Sequence, residues 1–329
     1  MNNKLEKSCR QFLSVDVSNC LKGIFAVMVL LTHMHGRVTL FSNSIVGTLF
    51  SAFGYLAVSG FFFLSGFGLT EQSKKEGYIK AFPKRKVLPF YLLCCVSVLI
   101  YLLRDIIFAN QISLIGVVKS FLWGDTVVEN GWYLQAQLLF YIFFYLSFRF
   151  AKKHKEITLF VLLFAYVVIC FSFKYASPWY EASFAFLAGM IVSQKKERIE
   201  KFLKKNSTAF VLLAILMVVF VVALFFGNKP YLPETLRIIV KMISSVLFVL
   251  VVLTAVSKIK VECPLTRFLG KYSLGIYVIQ GIFLTALRPI IQNDWLYILA
   301  VIITVIAAAI PTELLFKTVL SFSKKIFKN

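Results

Sequence analysis

An all-α bundle of membrane-spanning helices is the fold class this chain predicts, and three observations predict it. Of its 329 residues 59% are hydrophobic, and the mean hydropathy of +0.82 is too high for a soluble domain of that length. Apolar stretches recur at about 18–37, 45–70, 87–109, 132–150, 157–173, 178–194, 207–227, 236–257, 274–292 and 296–316, which reads as ten spans. Of the 36 lysines and arginines, 27 fall in segments on one side of those spans and five on the other. That bias predicts cytoplasmic N- and C-termini, a multi-pass protein of the cytoplasmic membrane, and contact with membrane lipid.

The elements follow in order. Residues 1–17 form a polar, basic segment that can lie at the interface on Leu5, Phe12 and Leu13. Lys4, Lys7 and Arg10 ahead of an apolar run resemble a signal peptide, but no small-residue cleavage site follows, so the first span is expected to be uncleaved. The third stretch ends in Arg104-Asp105 and the sixth is short, making them the weakest spans. Between the third and fourth, residues 104–131 alternate apolar groups with polar ones, the pattern of a re-entrant or surface-lying segment that carries Asp105, Asp125 and Glu129. Residues 18–316 constitute one ten-span domain, and 317–329 a basic cytoplasmic tail with Lys324, Lys325 and Lys328.

The net charge of +21 does not imply nucleic acid, because the basic residues sit in short loops between apolar runs. Six cysteines lacking paired spacing predict neither a zinc site nor a disulfide framework, and no metal is expected.

The chemistry concentrates in the first span. Lys22 and His33 are eleven residues apart, which on a helix brings them within about 20° of one face and about 16 Å of each other along the axis. A histidine inside a membrane helix is read as functional unless it only fastens two helices together. His35 lies about 200° around from His33, so the two cannot share a metal from one face. It is assigned a structural or interfacial role. His154, in a lysine-rich loop, reads as a solvated residue.

Lys22 through His33 resembles the opening signature of the acyltransferase-3 family of integral membrane O-acyltransferases, with lysine at the usual arginine position. Val58-Ser59-Gly60-Phe61-Phe62-Phe63-Leu64-Ser65-Gly66-Phe67 resembles the family's double-Phe, Ser-Gly-Phe pattern. Lys84-Arg85-Lys86-Val87-Leu88-Pro89, Trp132-Tyr133-Leu134 with Phe140-Tyr141, Leu187-Ala188-Gly189-Met190 and Leu269 through Tyr277 resemble later motifs in the family's order. Gln137 and Gln280 stand where many members have Glu and His.

The resemblance implies transfer of an acyl group, most simply acetyl, from cytoplasmic acetyl-CoA or another acyl-CoA to a hydroxyl of a surface glycan of capsular, exopolysaccharide or O-antigen type, or its lipid-linked precursor. No bound cofactor is implied; acyl-CoA is a substrate. Glycan-assembly proteins are possible partners. His33 is then general base or acyl acceptor. Lys22, Lys84, Arg85 and Lys86 supply cations for the donor's phosphates, although each also fits the ordinary inside bias. Ser65, Trp132, Gln137, Tyr141, Tyr277 and Gln280 are expected to line or support the cavity; helix packing is the competing reading for Ser65 and the phenylalanine run. Arg149, Arg237 and Arg288 can snorkel from helix ends, whereas Lys241 can line the cavity. A transporter or flippase for a lipid-linked sugar or small solute is the competing class, disfavoured by sparse buried charge and no evident pair of matched broken spans.

Overall fold

In the computed structural model the described residues are 13–40, 44–124, 126–151, 153–204, 206–227 and 232–326, and they are helical without strands. Leu5, Phe12, Asp125 and Lys328 lie outside them. The helices are α1 (Val15–His35), α2 (Ile45–Ser73), α3 (Tyr78–Phe82), α4 (Leu88–Ile107), α5 (Leu114–Phe121), α6 (Trp132–Phe150), α7 (Lys155–Ser172), α8 (Phe184–Gln194), α9 (Lys196–Lys204), α10 (Asn206–Gly227), α11 (Glu234–Val256), α12 (Pro264–Lys271), α13 (Ser273–Leu287) and α14 (Asp294–Ile326). A π-helical turn, Pro83–Val87, joins α3 to α4.

Seven helices among the described residues are long and apolar enough to cross a membrane: α1, α2, the continuous α3–α4, α7, α10, α11 and α14. An eighth span arises if α12 and α13 count together, although they bend by 72° at their junction. The protein is therefore multi-pass. The other two stretches expected to span are α6 and α8. In α6 the apolar pattern is interrupted by Gln135 and Gln137, both turned into the protein. In α8 only eleven residues are helical, preceded by the 3-10 turn Ser177–Trp179.

Two of the differences from the boundaries the sequence suggests bear on the site. Ser14 caps α1 by accepting a hydrogen bond from the Val17 amide at 3.2 Å, so the helix starts three residues early. Lys22 is consequently two turns inside the helix and His33 is in its last turn. At the other end of the chain, α14 continues past 316 to Ile326 through Pro311, so the first part of the basic tail belongs to the last helix.

Interhelical contacts sort the helix ends into two opposite faces. On the face near Lys22, Arg267 of α12 grips Asp16 of α1 in a bidentate pair at 2.9 to 3.3 Å. On the face near His33, Asp294 at the start of α14 accepts from the backbone and side chain of Thr39 at 2.9 and 2.8 Å, and pairs with Arg288 at 2.8 Å. The segment between α4 and α6 folds back on itself on this second face. Gln135 Nε2 donates to the Lys119 carbonyl at 3.3 Å, its Oε1 accepts from the Gly124 amide at 3.0 Å, and the Val127 amide donates to Ser120 at 2.7 Å. Tyr277 of α13 donates to the Asn130 carbonyl at 2.7 Å, which draws the loop in against the middle of that helix. The re-entrant pattern of 104–131 thus corresponds to a loop pinned into the bundle, with α5 presenting Leu114, Ile115 and Val118 outward.

Helix α2 is the central post, and it meets α8 at backbone distance. A Cβ on Gly66 would overlap the Phe186 carbonyl, and one on Gly189 would overlap the Phe63 carbonyl. Phe62, fully buried, stacks in this core against Phe140 at 4.7 Å and Tyr133 at 5.3 Å, so the phenylalanine run is packing. Gly189→Val is expected to cost at least the ~1–3 kcal/mol of core overpacking, because backbone rather than a side chain obstructs the new atoms. Thermal unfolding of the detergent-solubilised protein should show a lowered midpoint. Gly68→Ala, with nothing within 4 Å of the new methyl, should melt as wild type does.

Candidate active site

Helix α1 carries one end of the site at Lys22 and the other at His33. Its placement begins with two glycines. A Cβ on Gly23 would overlap the Gly270 amide nitrogen, and one on Gly270 would overlap the Asn19 carbonyl, so α1 and α12 touch through their backbones. Lys22 and Lys271, each next to one of these glycines, are thereby brought to one cleft.

That cleft, about 500 Å³, is lined by Asp16, Asn19, Lys22, Arg267, Lys271 and, across it, Glu313 and Lys317. Lys22 Nζ donates to Asn19 Oδ1 at 3.3 Å. Arg267 is engaged by Asp16, and Glu313 Oε2 accepts from the Gly275 amide at 3.3 Å. Four cations face two carboxylates here. The N-terminus of α13 opens onto the same cleft because the chain bends at Tyr272, and Glu313 shows the attraction of that helix end for an anion by taking its Gly275 amide. Lys271 and Lys317 both lie over the Tyr272 ring, at 5.0 and 5.9 Å.

Of the other basic residues expected to serve here, Lys86 lies within electrostatic reach of Lys22. Lys84 and Arg85, on the same π-helical turn, are exposed and do not line the cleft; Lys84 borders an apolar groove with Val87 and Tyr91 instead. Lys271, Arg267, Lys317 and Glu313 were not singled out from the sequence. Lys317 reads as the start of a tail until α14 is seen to continue, and Lys271 lies inside the motif Leu269 through Tyr277, where only the contact of Gly270 with α1 shows which cleft it faces.

Between the two ends runs a column of buried polar and aromatic side chains. Ser65 of α2 donates to Gln137 Oε1 at 3.1 Å, Tyr133 donates to the same oxygen at 3.4 Å, and Tyr141 reaches Ser65. The Tyr133 ring packs on Tyr277 at 5.0 Å, and Gln280 Nε2 donates to the Tyr277 carbonyl at 3.2 Å. The column abuts α1 at Phe25, whose ring meets Phe61, which in turn meets Tyr133. Five of the six expected cavity residues, Ser65, Gln137, Tyr141, Tyr277 and Gln280, thus belong to one set. Trp132 borders the column, its ring edge-on to Tyr133 at 6.3 Å and on its other side packed toward Trp179 at 6.2 Å, in an aromatic cluster that also holds Trp123. Two amide atoms in the column, Gln137 Nε2 and Gln280 Oε1, are buried without a hydrogen-bond partner. An orphaned buried amide is costly, so each retains hydrogen-bonding capacity toward a polar group entering the column.

At the far end, His33 is half-buried and its imidazole receives no hydrogen bond from any described residue. The charges nearest to it are Arg37 and Glu129. Arg37 pairs with Glu129, and Glu129 Oε2 accepts from Thr285 at 2.9 Å. Asp105 is directed elsewhere, to Arg104 at 2.6 Å and Asn110 at 2.9 Å. His35 packs its ring edge toward Phe50 at 6.1 Å, in keeping with a structural role, and His154 is exposed. Lys241 is tied to the buried Glu181 at 3.3 Å and lies over the Tyr55 ring. Among the described residues no three His, Cys, Asp or Glu side chains converge as a metal cluster would require.

A multi-pass helical bundle that joins a cationic cleft to an open imidazole through a polar column has the parts of a membrane-embedded transferase. The profile of the acyltransferase domain of the acyltransferase-3 family matches residues 16–313, nearly the whole chain, and the protein belongs to that family. It is a membrane acyltransferase by family. No curated protein and no solved structure matches it significantly.

Lys22→Ala and Lys271→Ala should each raise the KM for the acyl donor about tenfold with kcat little changed, the signature of lost ground-state contact to a charged group. Lys22→Arg should retain activity, and Lys84→Ala and Arg85→Ala should stay within about twofold of wild type. Initial rates across a donor titration in membrane vesicles decide this. Equal effects at all four positions would mean the cleft is not the donor site.

Proposed function

We propose that the protein is an integral membrane O-acyltransferase, most simply an O-acetyltransferase, which takes an acyl group from cytoplasmic acyl-CoA and delivers it to a hydroxyl of a surface glycan or its lipid-linked precursor. The observation that carries this reading is the placement of Lys22 and His33 on one helix, with the basic cleft at the first and, at the second, an imidazole that no described residue engages by a hydrogen bond. In this reading the ten stretches all traverse the cytoplasmic membrane, α6 and α8 being held there by their polar contacts with neighbours. Both termini are cytoplasmic, as the lysine and arginine bias requires.

The donor's phosphates suit Lys22, Lys271 and Lys317 with the N-terminus of α13. Lysine binds phosphate as a point charge without the two-pronged fork of arginine, so several lysines act together. The pantetheine arm is polar and amide-rich, and the orphaned Gln137 Nε2 and Gln280 Oε1 offer it one donor and one acceptor. It would bring the thioester toward His33. Two chemistries satisfy that arrangement. In the first, His33 removes the proton of the acceptor hydroxyl as its oxygen attacks the thioester carbonyl; the C–S bond breaks and the thiolate leaves with the proton. In the second, the imidazole nitrogen attacks first, releases the thiol and passes the acyl group to the hydroxyl in a second step. An acceptor approaching from the opposite side of the membrane meets His33 beside Arg37 and Glu129.

The competing reading is a transporter, and the bend between α12 and α13 is the one observation that favours it, since broken helices also build transport sites. The decisive comparison is the O-acetyl content of surface glycan from cells carrying the wild-type protein, His33→Ala, or no protein, with membrane abundance matched. Loss of acetyl groups in both the null and His33→Ala is the expected result. Acetylation unchanged in all three, with glycan export lowered in the null, would replace the transferase by the transporter.

A further inference from the structure

The carbonyl of His33 belongs to the last turn of α1, where backbone partners run out. The Arg37 amide, which would close the next helical bond onto that carbonyl, turns instead to Met34 at 2.9 Å, and the Arg37 side chain returns to take its place. Nη1 donates to the His33 carbonyl at 3.3 Å. Nη2 of the same guanidinium reaches Glu129 and Thr285 Oγ1, the latter at 3.2 Å, while the Thr285 hydroxyl donates to the other Glu129 oxygen. One side chain therefore joins the end of α1, the loop before α6, and α13. That loop is anchored independently: Asn130 has a positive φ of 60° and its carbonyl accepts from Tyr277, while Glu129 lies over Gly281, where a Cβ would come within 2.6 Å of the Glu129 Cβ.

A partly exposed ion pair of this kind adds little stability, and the Arg37 and Glu129 side chains are each 26% exposed. Their geometry has another consequence. Because no described residue bonds to the His33 imidazole, its direction is set by the backbone beneath it, and the guanidinium holds that backbone. Glu129 does not orient the imidazole as a carboxylate orients histidine in a catalytic triad: its oxygens meet Arg37 and Thr285, and no hydrogen bond joins it to His33. We infer that Arg37, Glu129 and Thr285 form a latch that positions His33 for acyl transfer, Arg37 and Glu129 being positioning residues that contact neither acyl donor nor imidazole. This rests on the catalytic reading of His33 proposed above.

The test measures acetyl transfer from labelled acetyl-CoA into endogenous glycan in membrane vesicles, normalised to protein abundance, for wild type, His33→Ala, Arg37→Leu, Glu129→Leu, the Arg37→Leu/Glu129→Leu pair and Arg37→Lys. Expected are a fall in kcat of about 10- to 100-fold for each single latch variant, the range a displacement of about 1 Å produces, and a KM for acetyl-CoA within about twofold of wild type. The pair should be no worse than its poorer single, because both break one unit. Arg37→Lys should recover part of kcat. If Leu at either position prevents accumulation, Arg37→Lys and Glu129→Gln are read in its place. The inference is overturned if His33→Ala is inactive while the latch variants keep wild-type kcat, or if activity falls only in proportion to abundance, or if the two single losses multiply in the pair. Wild-type turnover by His33→Ala would instead remove the catalytic reading, and the latch with it.

Discussion

Backbone contact between α1 and α12 at Gly23 and Gly270 is the constraint from which the site follows. Two helices that touch without intervening side chains are fixed in both separation and register, as small residues permit in a bilayer where no hydrophobic effect drives helices together. Lys22 and Lys271 are adjacent to the contact and cannot drift apart. The Asp16–Arg267 pair closes the same end, and the bend after α12 then turns the α13 N-terminus onto the cleft. The cationic end of the site is thus a consequence of two missing Cβ atoms and one kink.

From that fixed point, α1 and α13 run side by side to the opposite face. They reach it together, which is why Thr285 near the end of one can share Glu129 with Arg37 just past the end of the other. The polar column between the faces is assembled from α2, α6 and α13, and it is tolerated in a membrane because Ser65 and Tyr133 bond to Gln137 while Tyr277 and Gln280 bond to backbone carbonyls. Gln135, which lies outside the column, is fully satisfied by the folded-back loop; Gln137 and Gln280 each retain one unmet amide atom.

The general architecture was legible in the chain because bilayer thickness and backbone hydrogen bonding leave few options for a sequence this apolar. Long apolar runs marked the principal spans, the interrupted pattern of 104–131 marked the folded-back segment, and the Lys22–His33 spacing placed both on one stripe of α1. Family membership was legible from motifs in order along almost the whole length. The weak stretches were read less well: the third, marked weak for its Arg104-Asp105 end, lies in a long apolar helix, whereas the fourth, α6, with its internal glutamines, and the short sixth, α8, are not apolar or long enough by themselves.

By itself, then, the sequence determined a multi-pass helical protein of the acyltransferase-3 family with its chemistry centred on the first helix. Tertiary structure alone decided which charges surround the two ends of that helix. Lys84 and Arg85 look equivalent to Lys86 in the chain, yet a single turn of π-helix exposes them and leaves Lys86 near Lys22. Lys271 and Lys317, 249 and 295 residues beyond Lys22, reach its cleft through a glycine contact and the continuation of α14. Glu129 rather than Asp105 meets Arg37 because Asp105 is taken by its neighbour Arg104. Periodicity fixes which residues share a face of one helix; only packing fixes which faces meet.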